Sequence, residues 1–275
     1  MVMRIQGLKY DENNWIHRQV RLAAITVVAI AAFVAAWHVA SVLADTPTVP
    51  SPGRTLDALI NFYSYGDWSS GTQRTMFELI GSSMITFAKG FALALVVAVP
   101  LGLALGYFKI AREFTNPIIE VLRPIAPIAW APIFIIILGS ATGAMLVVFI
   151  GIFFPLLTNV IFGVRKIEAN LLDASKTLGA SQFQVFYKVI MPYTAPYLMN
   201  GVKVGLGVGW MCIVAAEMCA GTLVGVGKYL YDMAYSGNWP KAYAALVLIG
   251  VLGLLTIGVS DYVHRWVSRR MGMDA

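Results

Sequence analysis

The stretch DASKTLGASQFQVFYKVIMP, Asp173 to Pro192, is amphipathic and charged at intervals in a chain that is otherwise mostly apolar. Asn170 sits where a helix start needs a cap. Asp173, three residues on, sits where a carboxylate meets unpaired amides and the positive end of the helix dipole. Gly179 is placed to end that helix. Ser181 and Gln184 have capping-box spacing for a second helix, on which Phe183, Phe186, Tyr187 and Ile190 fall at i, i+3, i+4 and i+7, along one face. Pro192 is expected to stop it. The stretch reads as helix, tight turn and helix, with an exposed aromatic ridge. By periodicity alone a helix lying on lipid headgroups also fits, but the glycine hinge and double caps favour a shaped contact with another protein.

Working outward, the 275 residues are 59% hydrophobic and 12% charged, where a soluble domain carries about a quarter charged residues. The chain is an integral membrane protein. Its net charge of +6 does not point to nucleic acid, because the basic residues sit at span edges and form no stripe with interleaved aromatics. Cys212 and Cys219, seven apart on one apolar segment, read as small buried hydrophobes and not as a disulfide or metal pair.

A bilayer core about 30 Å thick takes roughly 20 apolar residues in helix. Six segments approach that length: Leu22–Ala44, Ile85–Tyr107, Ile118–Leu138, Ala144–Val164, Ala195–Ala216 and Ala242–Ser260. The first is too long for the apolar part of a signal peptide and reads as a retained span. With both termini in the cytoplasm, thirteen basic residues lie inside (Arg4, Lys9, Arg18, Arg21, Lys109, Arg112, Arg165, Lys166, Lys176, Lys188, Arg265, Arg269 and Arg270). Four lie outside (Arg54, Arg74, Lys228 and Lys241). That asymmetry sets the orientation. The expected architecture is all-α. It comprises a cytoplasmic segment 1–21, a transmembrane domain 22–264 with an outer loop at about 45–75 and a cytoplasmic loop at about 165–193, and a tail 265–275.

The chemistry that is missing narrows the function. The nearest approach to a nucleotide-binding P-loop, GTLVGVGKY from Gly221 to Tyr229, has the wrong first glycine spacing and ends in tyrosine. His17, His38 and His264 are scattered, and no metal-binding or paired-carboxylate motif lies in a span, so no catalytic residue and no metal site is expected. Chemical work must be done by a partner.

In this register the opening stretch resembles the cytoplasmic motif of ABC importer permeases: Glu-Ala-Ala, three residues, Gly, nine residues, then Ile-x-Leu-Pro. Here it is Asp173-Ala174-Ser175, three residues, Gly179, nine residues, then Val189-Ile190-Met191-Pro192. Asp, Ser, Val and Met replace Glu, Ala, Ile and Leu, each preserving charge, smallness or apolarity. The similarity covers roughly residues 50–267. Within it LRPIAPIAWAP, Leu122 to Pro132, and GVKVGLGVGWMCIVAAEM, Gly201 to Met218, are similar to stretches of the nitrate, sulfonate, taurine and bicarbonate importer permeases. The resemblance implies a type I importer permease fold in a bacterial or archaeal plasma membrane. It implies ATPase subunits that hold the ATP and magnesium, a second permease copy and an external substrate-binding protein. It also implies an ATPase-coupling role for Asp173, Ala174, Ser175, Gly179, Phe183, Phe186, Tyr187 and Pro192.

For the path itself the residues offer candidates. Pro124, Pro127 and Pro132 each remove a backbone donor, so the third span must kink or unwind, and freed carbonyls at that depth need protein or a water-filled cavity. A packing kink explains any one of them as well as substrate contact does. Gly201, Gly205 and Gly209 give the fifth span a smooth face for close helix approach. Arg123, Lys203 and Glu217 are charges within or at the end of spans, expected to be paired or near an edge, with Glu217 near the outer surface. Arg123 or Lys203 can supply positive potential to an anion, Glu217 and Trp130 can shape a gate, and Pro127 and Trp210 join them as path candidates. A stand-alone channel or secondary transporter accounts for the spans but not for the motif register, and a permease for another small organic solute stays open as well.

Overall fold

The computed structural model describes residues 15–61, 75–221 and 224–270, and the regular elements among them are all helical. They are α1 (Trp15–Ala44), α2 (Pro52–Ile60), α3 (Met76–Tyr107), α4 (Lys109–Leu122), α5 (Ala131–Leu138), α6 (Ser140–Arg165), α7 (Ala169–Thr177), α8 (Gln182–Val185), α9 (Met191–Cys219), α10 (Val226–Tyr235) and α11 (Trp239–Arg270). Lipid offers no partner to a free amide or carbonyl, so a spanning chain satisfies its backbone within each helix. Arg4, Lys9 and Arg74, together with 1–14, 62–74 and 271–275 of the expected flanking segments, lie outside the described residues.

Five stretches are long and apolar enough to cross a membrane: α1, α3, α6, the continuous helix Gln182–Cys219, and α11. Each contains one expected span. The third, Ile118–Leu138, is corrected: it is two helices, α4 and the segment Pro127–Leu138, meeting at 83°. Pro124 and Pro127 lack the amides a continuous helix would need, so the chain turns at Arg123–Ala126 and restarts as a 3₁₀ turn, Pro127–Trp130, leading into α5. Even so, this elbow completes a crossing. Gly90 packs on Val148, Gly102 on Val160 and Gly106 on Val164, a constant register offset, so α3 and α6 run parallel. Parallel neighbours require the chain between them to return to its starting side.

α6 is the centre of the bundle. Its other face takes α9 antiparallel: Gly201 meets Leu156 and Asn159, Gly205 and Gly209 meet Ile152, and Gly151 lies against the Cys212 thiol. Helices in lipid gain little from apolarity as such, and small residues at the seam give the close dispersion contact that holds them. The glycine face of the fifth span is therefore used for packing within this chain. Val147, Val148, Ile152, Leu156, Val160 and Ile213 are completely buried there. A second, smaller cluster joins Met76 and Leu79 at the start of α3 to Val226, Tyr229 and Leu230 of α10 and Ala244 and Ala245 of α11. Cys212 is buried as expected, but Cys219 is exposed at the end of α9, one turn beyond the seam.

Candidate functional site

The loop after α6 is built almost wholly from local rules. Lys166 ends α6, its ammonium lies 5.4 Å over the Phe162 ring, and its carbonyl accepts a hydrogen bond from the Tyr193 hydroxyl at 3.1 Å. That pins the start of the loop to the start of α9. α7 begins two residues earlier than expected: the Glu168 carbonyl accepts from the Leu171 and Leu172 amides, so the chain enters the helix at Glu168, and Asn170 is inside the first turn, not its cap. Asp173 is exposed in the next turn, its carbonyl accepting from the Thr177 hydroxyl at 2.9 Å, and Ser175 donates to the Leu171 carbonyl. Ala174 is exposed beside them.

Gly179 terminates α7 with φ +80°, a left-handed conformation that costs other L-residues strain. The Ala180 amide then reaches back to the Ser175 carbonyl at 3.1 Å, the closure that satisfies a helix C-terminus. The capping box of α8 is present as read: the Gln184 amide donates to Ser181 Oγ at 3.3 Å, and the Ser181 amide donates to Gln184 Oε1 at 2.9 Å.

Two expectations for the second helix need correction. Phe183 and Tyr187 are exposed, at 77% and 62%, and their rings stack in parallel at 6.4 Å. Phe186 and Ile190 do not share that face: Ile190 is buried and Phe186 packs against the core. Nor does Pro192 stop the helix, because Gln182–Cys219 is continuous. The reason is common to both. Residues 186–190 form a π turn, with the Met191 amide donating to Phe186, five residues back. The wider turn makes room for the Pro192 ring and for the amide it lacks. It also places the buried pair Val185 and Ile190 five apart, so the i+7 extrapolation from Phe183 fails.

The path candidates fall in two regions. On the elbow, Arg123 is exposed at the C-terminus of α4, where the helix dipole favours a cation, Pro127 opens the 3₁₀ turn, and Trp130 closes it with its ring stacked 5.7 Å from Phe134. Along α9, Lys203 pairs with Asp261 of α11 at 3.0 Å, both about half exposed. Trp210 is buried, stacked 5.0 Å from Phe87 and donating to Thr256 Oγ1 at 2.8 Å. Glu217, in the last turn of α9, is buried within the bundle: it is 2% exposed, with Ser83 donating to Oε1 at 2.6 Å and the Gly227 amide to Oε2 at 2.8 Å. Lys203 and Trp210 thus hold α9 to α11, while Glu217 holds it to α3 and α10.

Several residues escaped the sequence reading. Arg112 donates to the carbonyls of Leu105 and Gly106, tying α4 to the end of α3. With Glu113, Asn116, Pro117, Glu120 and Arg165 it lines a cleft of about 240 Å³ beside the loop. Asn200 donates to Asn159 across the α6–α9 seam at 2.8 Å. Ser83 had no local signal at all, since its partner Glu217 lies 134 positions away.

With this geometry in place, residues 98–273 match the family model described as binding-protein-dependent transport system inner membrane component. The nitrate import permease protein of Synechocystis sp. is 32% identical over 234 residues, covering 83% of each chain. The taurine transport system permease protein of Escherichia coli is 30% identical over 232 residues, again covering 83% of each. Among solved structures, a chain of the MetNI methionine ABC transporter superposes with a TM-score of 0.60 at 20% identity, covering 70% of this chain and 95% of that one, a likeness of fold.

Proposed function

Because this chain belongs to the family of binding-protein-dependent transport system inner membrane components, we propose that it acts as one of two identical permeases in an ATP-driven importer of a small oxyanion. It is a multi-pass membrane protein and an ABC importer permease for a small solute. The finer reading places it in a bacterial or archaeal plasma membrane with both termini inside, taking nitrate, bicarbonate, taurine or another sulfonate from an external binding protein. Two ATPase subunits hold the ATP and magnesium.

The observation that carries this reading is the capped helix–turn–helix of Asp173–Pro192. It presents the stacked pair Phe183 and Tyr187, with Leu178 87% exposed at the turn, on a helix that continues without a break into a membrane span. Aromatic side chains left on a rigid, doubly capped element make an anchor for a protein groove. An ATPase that moves this handle moves α9, and the glycine seam carries α6 and α3 with it. On the substrate side, the charge of Lys203 is matched by Asp261. We therefore assign the attraction of the anion first to Arg123 on the elbow, with Pro127 and Trp130 shaping the passage beside it.

The test is ATP-dependent uptake of labelled nitrate, bicarbonate or taurine into proteoliposomes holding the permease, its ATPase subunits and its binding protein. Uptake of one of these anions, abolished in Asp173→Lys with the complex still assembled, supports the assignment. Flux through the purified permease alone, without ATP and without ATPase binding, would instead make it a channel or secondary transporter.

A further inference from the structure

Within the stretch that resembles a phosphate loop without being one, the turn Gly225–Gly227 does hold an acidic group: the chain's own Glu217. The carboxyl lies at the N-terminus of the ten-residue α10, where the Gly227 amide donates to Oε2 at 2.8 Å. The Val226 amide donates to Ser83 Oγ at 3.0 Å, and that hydroxyl in turn donates to Glu217 Oε1 at 2.6 Å. Three elements, α3, α9 and α10, thus meet at one buried carboxyl. Two glycines make the approach possible. A Cβ on Gly225 would overlap the Glu217 carboxyl, and one on Gly227 would sit 2.6 Å from the Val214 carbonyl oxygen and 3.0 Å from Glu217 Oε2.

Location gives this cluster its meaning. Ala216 and Ile213, one residue and one turn before Glu217, belong to the main core of α3, α6 and α9, whereas Val226, Tyr229 and Leu230 belong to the second cluster with α11 and the first turn of α3. Glu217 bridges the two. It also stands at the far end of the helix that begins at Gln182, about 50 Å from the Phe183–Tyr187 pair at 1.5 Å rise per residue. A buried carboxyl is tolerated only where its donors are in place, so its hydrogen bonds fix a geometry that apolar packing, being non-directional, leaves free to slide.

Resting on the reading of the chain as an ATP-driven permease, we infer that Glu217 is a positioning residue. With Ser83 and the Gly225–Gly227 turn it fastens α10 to the α3–α6–α9 body, so that movement imposed on the loop at one end of α9 reaches α10 at the other. Without this bond α10 would lag behind the seam helices.

The experiment is hydrogen exchange of residues 226–235 in the assembled permease–ATPase complex, nucleotide-free and trapped with ATP and vanadate. In the wild type the exchange of this segment should differ about tenfold between the two states. In Glu217→Ala the difference should fall below about twofold, while basal ATP hydrolysis stays within about twofold of wild type. Glu217→Gln, which keeps one carbonyl acceptor, should restore most of the response, and Ser83→Ala should lie between. A purely local packing role would lower protection in both states alike and leave their ratio intact. A wild-type ratio in Glu217→Ala overturns the inference. Where that variant does not assemble, a wild-type ratio in Ser83→Ala overturns it. An ATPase-active wild type whose α10 ignores nucleotide also overturns it and leaves the permease assignment standing, whereas a wild type that binds no ATPase overturns both.

Discussion

The two ends of the helix Gln182–Cys219 are made in opposite ways. At the loop end the rings of Phe183 and Tyr187 stand in the open, and order comes from devices that need no distant partner: a capping box, a left-handed glycine and a π turn. At the other end Glu217 is buried, and its order depends on Ser83 and Gly227, from two other helices. One end keeps its shape while leaving its surface open. The other is spent on holding this chain together. Local rigidity with an open face is what a handle requires, and long-range closure is what a joint requires.

The contrast can be broken from either side. The largest effect is expected for Gly179→Pro, since proline holds φ near −65° where the turn needs +80°. ATP-driven uptake should vanish while the purified permease melts at its usual temperature, because the turn touches little of the core. Next, Gly227→Val drives a side chain into the Val214 carbonyl and the Glu217 carboxyl, and overpacking of this kind costs about 1–3 kcal/mol. It should lower the melting temperature with ATPase binding at the loop unchanged. The double change Phe183→Ala with Tyr187→Ala should weaken ATPase association roughly tenfold or more, at about 1 kcal/mol or more per anchor, with no change in melting. A fall in melting temperature as large as that of Gly227→Val would erase the distinction between the ends. The smallest effect is expected for Lys203→Met: a half-exposed pair contributes about 0–1 kcal/mol, so stability should barely move. Uptake at limiting substrate then reads its charge separately. A large loss there would return Lys203 to the path ahead of Arg123.

The same division explains what could be read from the chain. The capping box, the helix stop at Gly179 and the spans were legible because each is decided within a few residues. The aromatic ridge was half legible. Phe183 and Tyr187 lie within one α turn of each other, but the reading of Phe186 and Ile190 assumed a period that the π turn changes. The elbow was legible as a break and not as an 83° bend, because proline forbids a straight helix without dictating the angle that replaces it. The partners of Glu217 were not legible because the groups that satisfy its buried carboxyl, a serine 134 positions earlier and an amide beyond the end of its helix, leave no mark near it. The parallel run of α3 beside α6 was equally silent: glycines 90, 102 and 106 mark a close-packing face but do not name the helix that packs on it.

The π turn at Phe186–Ile190 has one more consequence, for rotational phase. A π turn is equivalent to one extra residue lodged in an α-helix, and one residue is about 100° of rotation. Rewound as a regular α-helix with no residue removed, the same stretch would swing Phe183 and the loop before it by about 100°, roughly a quarter of a revolution, around the axis of α9. Every cap and contact within the loop would survive, yet its rings would point elsewhere relative to the seam. The bearing of the handle on the bundle is thus set by one residue of winding, which the π turn takes up and which no point substitution on the aromatic face can imitate.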